Sequence, residues 1–244
     1  MPPESTGLLA LAVLVVAFLY SCVGHAGASG YIAAMTLFGM APKEIKPVAL
    51  ALNIAVAAIG SYQFWRAGHF SWRLFWPFAV LAAPFAFLGG WLNLPAQVFK
   101  VLVGVVLLFS ALRFLVDPPP EAEPTPPSLP VSFGVGAGLG LLAGLTGTGG
   151  GIFLTPLAIF RRWGLTKTVS GISVLFILVN SLSGLAGNLR ATKSFPGFAW
   201  ILLAAAVLGG TAGSYLGSAR LPHAAIKRLL AIVLAIAGLK LIFA

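Results

Sequence analysis

The sequence predicts an all-α integral membrane protein. It reads as about eight hydrophobic helical segments in two homologous four-segment repeats, the first segment of each repeat broken at a Gly-rich stretch. Three observations carry this. First, 59% of the 244 residues are hydrophobic, 8% are charged and the mean hydropathy is +1.01, whereas a soluble domain is about a quarter charged. Second, the apolar residues come in long runs rather than in the alternation of a β-barrel. Third, the two halves of the chain match each other in register.

The apolar segments run over 7–38, 47–65, 72–92, 96–116, 131–160, 168–189, 197–217 and 223–243. Most are near the ~20 residues that cross a bilayer core. The first and fifth are longer, and each holds a glycine cluster. The start, Met1 to Thr6, lacks the basic residues that begin a signal peptide, so the first segment is expected to be retained. Between segments four and five lies Asp117-Pro118-Pro119-Pro120-Glu121-Ala122-Glu123-Pro124, which cannot hold a helix. The expected organisation is a first membrane repeat over 1–116, a Pro-rich acidic linker over 117–130 and a second membrane repeat over 131–244.

A shift of 127 positions places Asn53 on Asn180, Gly60 on Gly187, Ala86 on Gly213, Gly90 on Gly217, Pro95 on Pro222 and Lys100 on Lys227. Leu-Pro-x4-Lys thus occurs twice, at Leu94 to Lys100 and Leu221 to Lys227. The glycine breaks align with a shift of 121, because the second half carries six extra residues around Arg161, Arg162 and Lys167. Small residues recur every four positions at Ala82, Ala86 and Gly90, at Gly136, Gly140 and Gly144, and at Gly209, Gly213 and Gly217. That spacing lets helix backbones approach closely, and it speaks of packing rather than chemistry.

The charge pattern narrows the substrate. Fifteen Lys and Arg face five acids, and none of Glu4, Glu44, Asp117, Glu121 and Glu123 falls inside an apolar segment. Proton pumps and cation carriers place carboxylates in their spans. An anionic or neutral substrate is favoured here, although topology signals and contact with anionic lipid account equally well for the excess of bases. If all eight segments cross fully, Lys43, Lys46, Lys100, Arg161, Arg162, Lys167, Arg220, Lys227 and Arg228 share one side. Arg66, Arg73, Arg113, Arg190, Lys193 and Lys240 share the other, which puts both termini outside. Aromatic residues from Phe64 to Trp76, beside Arg66 and Arg73, form an interfacial belt.

The first break reads Cys22-Val23-Gly24-His25-Ala26-Gly27-Ala28-Ser29-Gly30, and the second Leu145-Thr146-Gly147-Thr148-Gly149-Gly150-Gly151. Glycine suits an unwound stretch, and the half-helices that follow expose N–H donors with partial positive charge, an anion site in the making. The candidate substrate-binding residues are His25, Gly27, Ser29, Asn53, Thr146, Gly147, Thr148, Gly149, Gly150 and Asn180. The plainer reading of the glycines is a tight helix crossing. His25 is also the candidate for proton coupling, though a membrane histidine is more often a satisfied structural donor. Cys22 is a candidate sulfur contact, though a lone cysteine is usually a small buried apolar residue. It excludes an internal disulfide and a four-cysteine metal site. Asn53 and Asn180 are a matched buried pair that either bridges to the unwound stretches or binds substrate. The glycines lack the Gly-Lys-Ser/Thr ending of a Walker loop and the strand of a dinucleotide loop, and no His-Glu-x-x-His is present. No cofactor, metal or nucleic acid is expected, and the chain is not expected to be an enzyme.

The duplicated four-segment unit, the run Gly144-Leu145-Thr146-Gly147-Thr148-Gly149-Gly150-Gly151-Ile152-Phe153 and the Leu-Pro-x4-Lys element resemble the sulfite exporter (TauE/SafE) family over nearly the whole chain. The first break departs from that family's glycine-rich pattern at His25, Ala26 and Ala28. The resemblance implies a multi-pass inner-membrane protein that moves sulfite or another small sulfur-containing or organic anion. The expected mechanism is alternating access at the interface of the two repeats, coupled to a proton or sodium ion. An uncoupled anion channel, or a membrane-embedded enzyme using His25 and Cys22, are the other classes that fit.

Overall fold

The structure, a computed structural model, describes residues 3–92, 108, 111, 112, 115, 123–192 and 199–243. Segment 96–116, the first Leu-Pro-x4-Lys element and residues 117–122 of the linker fall largely or wholly outside the described residues. The described residues form helices and no strand. These are α1 (Pro3–Cys22), α2 (Ala28–Leu37), α3 (Pro42–Arg66), α4 (Trp72–Trp91), α5 (Leu129–Thr146), α6 (Gly151–Phe160), α7 (Thr166–Thr192), α8 (Ala199–Tyr215) and α9 (His223–Phe243). Five of them, α3, α4, α5, α7 and α8, are long and apolar enough to cross a bilayer.

Helix α3 starts five residues before the apolar run begins. Pro42 occupies its first turn, where a missing N–H costs nothing, and Glu44 favours the positive helix end. Pro47 therefore lies inside the helix rather than at its edge. Helix α8 runs into a single π turn, Leu216–Arg220.

The directions of the helices follow from their contacts. Along α3 and α7, Leu50 lies near Gly184, Asn53 near Ser181, Gly60 near Val174 and Phe64 near Gly171, so the two run antiparallel. Gly136, Gly140 and Gly144 of α5 press on the Phe78, Ala82 and Ala86 carbonyls of α4, so these two run parallel. Gly209, Gly213 and Gly217 press likewise on the Leu14, Phe18 and Cys22 carbonyls of α1. Gly140→Val is expected to lose the folded protein, because any side chain meets the Ala82 backbone. Gly138→Ala, two residues away in open space, should gain up to about 1 kcal/mol of helix stability. Yield of monodisperse protein and melting temperature in detergent check both.

Both broken segments turn back on themselves. Gly30 of α2 packs against Val16 of α1, and Gly150 packs against Leu139 and Ala143 of α5. The reversal corrects the assignment of cations to sides that full crossing implied. Lys46 stands at the start of α3 and Lys167 at the start of its antiparallel partner α7, so they lie at opposite ends of the bundle. The Lys167 end also gathers Arg66, Arg73, Arg161, Arg162 and Arg220, whereas Arg190 lies at the Lys46 end.

Candidate functional site

Each short helix starts from a left-handed glycine. Gly27 (φ +103°) precedes α2 and Gly150 (φ +81°) precedes α6, and neither helix has a side-chain cap. Gly24, Gly147 and Gly149 are also left-handed, a conformation that costs other L residues about 1–2 kcal/mol. Glycine is what allows the chain to reverse there.

The second break runs inward between α3 and α7. Gly147 touches the Lys46 side chain, while Gly149 sits between Ile177, the Asn53 amide and the Ser181 hydroxyl. Asn53 Nδ2 donates to Ser181 Oγ at 3.3 Å, and Asn180 Nδ2 donates to the Gly149 carbonyl at 3.3 Å. Thr146 Oγ1 donates to the Leu142 carbonyl at 2.6 Å and lies 2.8 Å from Thr148 Oγ1, so the two hydroxyls brace the turn. The matched asparagines thus flank the same glycine, and both are completely buried.

The first break meets the second half through His25. Its Nε2 lies 2.8 Å from Thr155 Oγ1 of α6, and the ring stands beside the Gly151 backbone. Gly24 rests on Ser170 of α7, whose hydroxyl donates to the Val23 carbonyl at 2.9 Å. The rest of this break faces its own helix. Ser29 Oγ donates to the Tyr20 hydroxyl at 2.9 Å, and Gly27 lies under the Tyr31 ring. Cys22 is buried with its carbonyl against Gly217. The sequence-derived candidates therefore fall into groups. Asn53, Asn180 and Gly149 form one cluster, His25 reaches α6 beside it, and Thr146 and Thr148 brace the turn. Ser29, Gly27 and Cys22 lie against α1, α2 and α8.

His25 Nδ1, Asn53 Oδ1 and Asn180 Oδ1 are buried without a hydrogen-bond partner among the described residues. A buried polar atom in that condition costs about 1–3 kcal/mol; the hydroxyls of Ser21, Ser61 and Ser173 share it, and the three at His25, Asn53 and Asn180 are those that belong to the candidate residues. The large open cavity of about 560 Å³ lies elsewhere, at the Lys167 end between Arg73, Trp76 and Ser132. The cluster itself is buried.

The chain matches the family described as sulfite exporter TauE/SafE over residues 9–241. It belongs to that family. A curated relative, "Probable membrane transporter protein y4hK" of Sinorhizobium fredii (strain NBRC 101917 / NGR234), is 39% identical over 249 residues, spanning 100% of both chains. No solved structure matches. A TauE/SafE protein of this kind is a multi-pass membrane transporter and not an enzyme.

Thr155 and Ser181, beside the cluster, and Lys46 and Lys167, at opposite ends of the bundle, are not among the site candidates that the sequence offers. Lys46 Nζ donates to the Gly89 and Gly90 carbonyls at 3.3 and 3.2 Å, and Lys167 Nζ donates to the Ser218 carbonyl at 3.3 Å. Both lysines are visible in the sequence as cations at the edges of apolar runs, but the carbonyls they reach are not. At the same end His69, in the loop before α4, is held below the ordinary imidazole range. Burial is the main cause, followed by the nearby Lys167 and His223, while the Ser218 backbone opposes the shift.

Proposed function

We propose that the protein is a secondary transporter of a small anion, with sulfite or a related sulfur-containing or organic anion as cargo. It works by alternating access between two inverted four-segment repeats. The observation that carries this reading is the buried polar cluster at Gly149, Asn53, Asn180 and His25, drawn from both halves of the chain and left with unpartnered polar atoms. The antiparallel α3–α7 pair supports the inversion. Secondary carriers place substrate at the interface of such repeats, against broken helices.

In this reading the first-turn N–H groups of α6 and the bracing hydroxyls of Thr146 and Thr148 meet the anion. A coupled proton goes to the His25 ring, whereas a coupled sodium ion is held by the acceptors Asn53 Oδ1 and Asn180 Oδ1. The crowd of cations at the Lys167 end favours a cytoplasmic placement of that end in the inner membrane.

Counterflow is the test. Proteoliposomes loaded with unlabelled sulfite, thiosulfate or sulfoacetate should take up the same labelled anion with saturation. Currents without exchange would make the protein a channel. Chemical change of the anion would make it an enzyme, and no movement of any of the three would remove the cargo assignment.

A further inference from the structure

The closest backbone contacts do not follow the two halves of the sequence. They join α1 to α8 through Gly209, Gly213 and Gly217, and α5 to α4 through Gly136, Gly140 and Gly144. They also join α4 to α7, where Gly90 meets the Gly184 backbone and Gly187 meets that of Phe87. Two bodies result. One holds α1 and α8, the other α4, α5 and α7; helix α3 lies between them, against both α7 and α8, and the loop that follows it sets the His69 carbonyl on Gly171 of α7. Between α3 and α7 the contacts pass through side chains instead, as where Gly60 meets Val174 and Asn53 meets Ser181.

Lys46 and Lys167 tie together elements that these glycine contacts leave apart. Lys46 leaves α3 for the Gly89 and Gly90 carbonyls of α4, and Lys167 leaves α7 for the Ser218 carbonyl of α8. Both amines reach the last turns of their target helices, where carbonyls carry partial negative charge. Because α3 and α7 are antiparallel, the two bridges lie about 30 Å apart along the bundle. Gly147 of one break touches Lys46, and Gly24 of the other touches Ser170, one turn on from Lys167.

We propose that Lys46 and Lys167 are paired latches, one at each end of the transport path, and that an arriving oxyanion opens its end by drawing the ammonium off the helix carbonyls. This rests on the transporter reading above. The ammonium is charged in either bond, but an oxyanion offers it a full opposite charge where a helix carbonyl offers a partial one. The latch bonds, at 3.2–3.3 Å, are at the long end of the N–H···O range. A neutral or cationic solute offers the amine nothing better than the carbonyls, so the latch selects anions. Opening one end leaves the other bridged, so no continuous path forms.

Lys46→Met and Lys167→Met, with Lys→Arg at each position as the charge-retaining control, test this in two ways. In proteoliposomes of one orientation, Lys46→Met should raise the sulfite KM at least tenfold from the Lys46 side and less than twofold from the other. Lys167→Met should do the reverse, and the Arg variants should stay within about threefold. Equal effects from both sides, or none, overturn the proposal. Hydrogen exchange in nanodiscs needs no cargo. Lys46→Met should speed exchange about tenfold at Leu88–Trp91 and leave Leu216–Arg220 alone, with Lys167→Met giving the converse. Unchanged exchange at both helix ends sinks the latch. Absence of sulfite counterflow in the wild type would instead count against the cargo reading, with the exchange pattern still deciding the latch.

Discussion

Gly149→Ala is expected to abolish transport while Gly39→Ala leaves it nearly intact. The two glycines have almost the same backbone, φ +76° and +74°, so both substitutions carry about 1–2 kcal/mol of left-handed strain. Their surroundings differ. A methyl group at Gly39 meets nothing within 4 Å, while at Gly149 it would lie 2.7 Å from Ile177 Cγ2 and 2.9 Å from both Asn53 Nδ2 and Ser181 Oγ. Relief of that overlap requires about 1–3 kcal/mol of repacking, and the atoms that must move are those of the polar cluster. Counterflow should therefore fall more than tenfold in Gly149→Ala, with both variants still folded by thermal melt. An equal loss in Gly39→Ala would assign the effect to backbone strain and remove the cluster from the mechanism.

The second large effect is expected at the link between the two halves. His25 Nε2 and Thr155 Oγ1, 2.8 Å apart, are both buried. Removing either takes a buried hydrogen bond from the other, at about 1–3 kcal/mol. His25→Ala and Thr155→Val should each cut transport about tenfold or more, and the double variant should be no worse than the worse single one. That non-additivity is the signature of a direct contact. Additive losses would mean that the two residues act separately, and transport in His25→Ala at the wild-type rate would take His25 out of proton coupling.

Much of this arrangement is legible in the sequence because it is written in apolar run lengths and in glycine. Runs of 20 or more apolar residues admit little besides membrane helices, and the clusters at 24–30 and 147–151 sit where those runs are too long for one crossing. Asn53 and Asn180 are legible for the same reason, since an amide in the middle of an apolar helix must find a partner. The direction of the chain after each break is not written there. A left-handed glycine permits both a kink and a reversal, and contacts between distant parts of the chain decide it: Gly30 with Val16, and the Thr125 N–H with the Arg162 carbonyl. Lys46 is hidden for a different reason. A lysine at the edge of an apolar run reads as a topology signal, and its tie to Gly89 and Gly90 depends on how α4 comes to lie beside α3. Thr155 and Ser181 are ordinary helical hydroxyls until the partner chain segments reach them.

The exchange of helices between the halves bears on what the acidic, proline-rich linker divides. Helix α1 rests its backbone on α8, and α5 rests its backbone on α4, so each half finds its closest partner in the other. The linker therefore joins two sets of helices that pack through each other, and it does not mark a boundary of packing. Among the described residues the closest helix-to-helix backbone contacts cross from one set to the other, and the chain is expected to melt in a single transition.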